Sequence, residues 1–91
     1  MTVIWKYPLR LMDEQIVTLY EHARILSVHG QRDVVTLWAA VNPDQPSRDW
    51  WVWIVPTGCR IPVGATAGDF VATVLVEEGE IVWHVFARPT L

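Results

Sequence analysis

Four consecutive residues, Thr57-Gly58-Cys59-Arg60, carry the groups best suited to holding an anion. A glycine lets backbone approach a ligand closely, and consecutive N–H groups can form a small nest around negative charge. Thr57 adds a hydroxyl, and Arg60 adds a planar fork matched to phosphate or carboxylate. An ordinary tight turn explains the same residues, and spacing alone leaves both readings open. Upstream, Trp50, Trp51 and Trp53 crowd into one short stretch directly after Arg48-Asp49. Tryptophan presents a rigid face on which a nucleobase stacks, worth ~1–3 kcal/mol per base. Arg48 could stack on an indole, reach a bound phosphate, or simply be solvated.

Catalytic chemistry has little to build on. The histidines His22, His29 and His84 show no metal-ligand spacing, so no metal site and no cofactor are expected. Cys59 is the single cysteine; as a nucleophile it needs an adjacent base that sequence does not display, and it reads as a half-buried structural residue. His84 lies between Trp83 and Val85 and reads as a hydrogen-bonded structural histidine, with a ligand contact as the alternative. Asp13 and Glu14 read as a turn cap, and Glu77, Glu78 and Glu80 as a solvated hairpin tip. No carboxylate pair stands out as an acid–base couple, and a binding protein is expected over an enzyme.

The elements that must position these groups are strands. Runs rich in Val, Ile, Thr and Trp recur between Gly, Pro, Asn and Asp punctuation, which points to one all-β domain over residues 1–91. About six or seven antiparallel strands in a small sheet, roll or sandwich are expected, with at most one short helical turn. Strands are predicted from Thr2 to Leu9, Gln15 to Leu19, Arg24 to His29 (stopped by Gly30) and Asp33 to Val41. The loop Asn42 to Ser47 then leads into the tryptophan strand, Arg48 to Val55. Pro56 to Gly64 reads as an extended loop completed by Ala65 to Asp69. Phe70 to Glu77 and Glu80 to Arg88 form a hairpin across a two-residue Glu78-Gly79 turn. That register pairs Val76 with Ile81, Val74 with Trp83 and Ala72 with Val85 on a core face, and Thr73 with His84 and Val71 with Phe86 on a mixed face. Trp38 and Trp83 are assigned to the core. Alternation puts Trp51 and Trp53 on one face of their strand and Trp50 on the other with Val52 and Ile54. One aromatic face needs a cover besides the core, expected to be a partner subunit or a flat ligand.

Composition narrows the partners. Apolar residues make up 52% of 91 residues, more than a small interior hides, so a homo-oligomer is expected. The formal charge is −3 with seven Lys and Arg, which lacks the basic field that duplex nucleic acid requires. No secretory signal and no membrane-spanning apolar run is visible, and with one cysteine the expected setting is the cytoplasm.

Several short segments carry a resemblance. Trp5-Lys6-Tyr7-Pro8-Leu9, Asp13-Glu14-Gln15, Ile25-Leu26-Ser27-Val28, Leu37-Trp38-Ala39, Val41-Asn42-Pro43-Asp44, Thr57-Gly58-Cys59-Arg60-Ile61-Pro62 and His84-Val85-Phe86 run in order along nearly the whole chain. Together they resemble a family of small bacteriophage proteins known as a domain of unknown function. Cys59 stands where that family often has histidine, and the tryptophan cluster is richer than usual. The phage setting implies a comparison with oligomeric β-rich sponges that capture nucleotide immune signals, cyclic dinucleotides or ADP-ribose derivatives, without turning them over. On that reading Trp50, Trp51 or Trp53 stacks on the base, Arg48, Arg60 and the Gly58 backbone hold phosphate, and Thr57, Cys59 or His84 complete the site. A module that blocks a host protein and a nucleotide-degrading enzyme are the alternatives.

Overall fold

A computed structural model describes residues 1–91, apart from the side chain of Glu78. Seven strands form two antiparallel sheets: β1 (Val3–Pro8), β2 (Glu14–Tyr20), β3 (Arg24–Gln31), β4 (Val34–Val41), β5 (Ser47–Pro56), β6 (Phe70–Val76) and β7 (Ile81–Pro89). The first sheet runs β1-β4-β3 and the second β2-β5-β7-β6. Two single 3-10 turns, Ala67–Asp69 and Glu77–Gly79, are the only helical segments among the described residues. The expected all-β architecture is therefore observed, with Gln15–Leu19 a strand and not a helical turn.

Alternation explains the layering. Along β4, Val35, Leu37, Ala39 and Val41 are buried toward the second sheet. Along β5, Val52 and Ile54 meet them, joined by Val74, Val76 and Val85 from the closing hairpin. Beta-branched side chains fill such a pleated interface with little loss of rotamer freedom. At one edge β3 closes against β6: a Cβ on Gly30 would lie 2.9 Å from Val76 Cγ1 and 3.0 Å from the Leu75 carbonyl oxygen, so only glycine fits the approach.

Gly30 does not stop β3, which runs on to Gln31. The chain reverses at Arg32 and Asp33, both at positive φ, as a two-residue hairpin turn requires. Asp33 then accepts a hydrogen bond from the Glu77 N–H at 2.9 Å, tying this turn to the other hairpin tip. That tip is a 3-10 turn closed by Glu80 N–H to the Glu77 carbonyl at 3.1 Å, in place of the expected two-residue turn. The predicted register above it holds from Val76↔Ile81 to Ala72↔Val85. It breaks at a bulge that sets Phe70, and not Val71, opposite Phe86.

Trp38 is a correction to the expected core. It faces outward from the first sheet, half-buried, with the Lys6 ammonium 5.9 Å from its ring centroid. Both faces of β4 are apolar, but its even positions look away from the second sheet. Trp83 packs against the core as expected.

Tyr7 also packs against the core, and its hydroxyl is buried without a hydrogen-bond partner among the described residues. Burial, reinforced by neighbouring Tyr20, raises its pKa above the usual phenol value. The folded chain thus holds this proton more tightly than the unfolded chain. The stability so contributed is whole below about pH 10 and is lost as pH climbs from there through the folded value. Tyr7→Phe is expected to change stability at pH 7 by less than about 1 kcal/mol, because no bond is lost. It should also flatten part of the alkaline fall. Urea unfolding at pH 7 and above pH 10 checks both; a loss beyond about 2 kcal/mol at pH 7 would reveal a bond to Tyr7 Oη.

Candidate functional site: an open cleft on the outer face of the tryptophan sheet

On the outer face of the second sheet the chain itself covers Trp53, Val55 and Phe86, while Ile16, Phe70 and Leu75 stay exposed. Trp53, Val55 and Phe86 form a second buried cluster there, with Trp51 and Ala65 packed against it. The segment between β5 and β6 folds over this cluster and is pinned at its far end. Asp69 accepts from Thr66 N–H at 2.8 Å and Thr66 Oγ1 at 3.1 Å. Arg88 Nη1 donates to the same carboxylate at 2.9 Å, and Arg88 Nη2 donates to the Gly64 carbonyl at 2.7 Å. The Arg88 guanidinium also lies 5.3 Å from the Trp53 ring centroid, a cation–π contact.

Beside this strap lies an open cleft of about 550 Å³. Its floor is Trp53 and Val55 at the end of β5. One wall is Pro56 at the end of β5 with Cys59, Arg60, Pro62 and Val63 from the strap; the other is Asp13 and Glu14, where the chain enters β2. The β2–β5 pairing sets Glu14 directly opposite Trp53, which brings the carboxylates to the floor's edge. The cleft thus faces two carboxylates toward one guanidinium and one exposed thiol across an apolar base.

Of the expected site residues, Trp53, Cys59 and Arg60 line the cleft. Trp53 offers an edge and no free face, since it is 2% exposed and stacks on Trp51 at 6.2 Å with 22° between planes. A base cannot insert onto its ring. Trp51 is half-buried beside it, outside the cleft lining. Trp50 packs toward the core between the sheets, as alternation required. Arg48 cannot share a site with Arg60. It projects on the core side of β5, where it donates to Glu21 Oε1 at 3.4 Å and to the Thr90 carbonyl.

Gly58 supplies a turn and not a nest. Cys59 N–H closes onto the Pro56 carbonyl at 3.3 Å, and Gly58 sits at φ +92° in the position that demands positive φ. No Cβ clash would arise at Gly58, so backbone conformation alone requires the glycine. Thr57 bonds His84: its hydroxyl is 2.6 Å from Nε2, while Thr73 Oγ1 is 3.0 Å from Nδ1. Thr57 and His84 have the reach of a nucleophile and its base, but the third partner is a hydroxyl and not a carboxylate that would stabilise an imidazolium. Neither residue lines the cleft.

Asp13 and Glu14 were legible only as a turn cap, and Arg88 and Asp69 carried no signal. Their roles depend on which strands pair. Among the described residues no group of three or more His, Cys, Asp or Glu could hold a metal ion, and no helix is long and apolar enough to cross a membrane.

A two-sheet antiparallel β domain with one strapped face and a mixed-charge cleft is the class that fold and site define. The chain belongs to the family described as domain of unknown function DUF7352, matched over residues 1–91. No curated protein matches it, and no solved structure does.

Proposed function

We propose that this domain binds a small nucleotide in the cleft and holds it without turnover, as a phage protein that sequesters a nucleotide immune signal in the host cytoplasm. The observation that carries the reading is the cleft itself, which joins Arg60 and Cys59 to an apolar floor within one concavity of about 550 Å³. That size lies within the range of small-molecule sites, ~300–1,000 Å³. Arg60 is exposed and supplies the fork for a phosphate. With both faces of Trp53 closed, the flat body of the ligand rests on Pro56, Pro62 and Val63. A cyclic dinucleotide carries two phosphates, and one guanidinium per chain favours a site completed by a second copy. Exposed Ile4, Trp5, Leu26 and Leu75 supply apolar surface for such an oligomer.

A protein-interaction reading is favoured by one feature, the apolar rim. Leu11, Met12 and Ile61 lie within two residues of cleft residues in sequence and are exposed, as is Val63 of the cleft wall, at 92%. An anchored host peptide would use that rim and depend little on Arg60.

Native mass spectrometry of the purified chain, alone and with cyclic dinucleotides and cyclic ADP-ribose isomers, tests the proposal. An unchanged nucleotide mass retained on the protein is expected, and Arg60→Ala should weaken retention about tenfold to a hundredfold, the effect of one lost charged hydrogen bond. No retention across the panel overturns it. So does retention indifferent to Arg60→Ala, since Arg60 is the cation that lines the cleft.

A further inference from the structure

The outer face of the first sheet is chemically unlike the rest of the chain. The chain holds ten aspartates and glutamates, yet β1, β3 and β4 contain none. Three of the seven Lys and Arg border this face: Lys6 opposite Trp38, Arg24 opposite Ala40, and Arg32 in the turn after β3. The nearest carboxylates in sequence are engaged elsewhere. Asp33, beside Arg32, accepts from the Glu77 N–H at 2.9 Å, and Glu21 pairs with Arg48 at 3.4 Å. An acidic chain thus keeps one cationic face. We infer that this face binds single-stranded nucleic acid, with a base against Trp38 and phosphates at Lys6 and Arg32. The inference is independent of the cleft and of the nucleotide reading.

Trp38 sits half-buried on the central strand, and its neighbours on the same face of β4 are the small side chains Thr36 and Ala40. A sheet face that joins an aromatic ring to cations is the arrangement on which unpaired bases stack while the backbone is neutralised. Lys6 is already held in place for this: its ammonium lies 5.9 Å from the Trp38 ring centroid and donates across β4 to Gln31 Oε1 at 3.3 Å. A separate observation is a concavity of about 350 Å³ on this face, lined by Lys6, Pro8, Gln31, Arg32, Val34 and Thr36. It holds two cations and no carboxylate, so an anion seated there meets no like charge. From Val34 to Ala40 the face runs about 20 Å, room for a few nucleotides. Three cations are too small a field for a duplex, whose bases are also closed to stacking. A second copy laid face to face would set these cations against one another, which disfavours self-pairing here.

Fluorescence anisotropy with labelled oligothymidylate and oligouridylate of about eight nucleotides, a length within single-strand site sizes, tests this against a duplex of equal length. The single strands are expected to bind more tightly than the duplex. Their log affinity should fall with log salt at a slope of about −2, as for three neutralised phosphates. Trp38→Leu should weaken binding about fivefold to a hundredfold, the loss of one stacked base. Lys6→Gln and Arg32→Gln change exposed side chains and carry the test even if Trp38→Leu fails to fold. Each should weaken binding to both oligonucleotides alike and flatten the slope by about 0.7. No single-strand binding at low salt overturns the inference. So does a duplex bound as tightly as the single strands, or binding indifferent to both Lys6→Gln and Arg32→Gln. Each of these failures leaves the cleft reading standing.

Discussion

Trp53→Ala is expected to cost about 3–5 kcal/mol, the largest effect of any single change considered. The indole is 2% exposed, stacks on Trp51, lies beneath the Arg88 guanidinium and sits where a Cβ added at Gly64 of the strap would meet it. Removing it opens a cavity under the strap, and neighbours on a rigid sheet cannot collapse into it. A small domain has only about 5–15 kcal/mol in total, so this variant should be largely unfolded near physiological temperature. Trp53→Phe retains a ring for Trp51 and Arg88 and removes the unpaired N–H, so its cost should stay below about 2 kcal/mol. Urea unfolding followed by far-ultraviolet circular dichroism distinguishes them. A loss under about 1 kcal/mol for Trp53→Ala would mean that the indole is a surface group, available for stacking after all.

Asp69→Ala ranks second, at about 2–3 kcal/mol. Its carboxylate holds Thr66 N–H, Thr66 Oγ1 and Arg88 together, and its side chain is 13% exposed. The Arg88 side chain is 42% exposed, so the ion pair itself is partly screened and the Thr66 bonds carry much of the effect. The larger consequence is local. Asp69 anchors the strap that forms one wall of the cleft, so ligand retention should fall although Asp69 does not line it. Limited proteolysis should cut first between Cys59 and Val63. A variant that loses stability yet keeps full retention and protease resistance in this segment would show that the wall stands without the anchor.

Strands were legible because their signal is local. The alternation of Val35, Leu37, Ala39 and Val41, and the matched apolar pairs from Val76↔Ile81 to Ala72↔Val85, need only neighbouring residues to be seen. The hairpin tip was harder, since Glu77 adopts φ +51° where a glycine would be the local signal. Trp38 shows the limit of apolarity as a guide: Lys6 and the pairing strands half-cover it on an outer face. The site was half legible. Thr57-Gly58-Cys59-Arg60 stood out by composition, and Cys59 and Arg60 do line the cleft. Arg48 and Trp50 stood out equally and lie on the other face of β5, because a strand separates residues that sequence places side by side. Asp13 and Glu14 join the site only through β2 pairing with β5, a long-range register that neither segment encodes alone.

The most direct test of the central claim is amide and indole chemical-shift mapping during titration with cyclic dinucleotides and cyclic ADP-ribose isomers. The account predicts that resonances of Asp13, Glu14, Cys59, Arg60 and the Trp53 indole N–H move together, while those of Trp50 and Arg48 stay fixed. Movement confined to the outer face of the first sheet, around Trp38 and Lys6, or no movement at all, would contradict the cleft as the binding site.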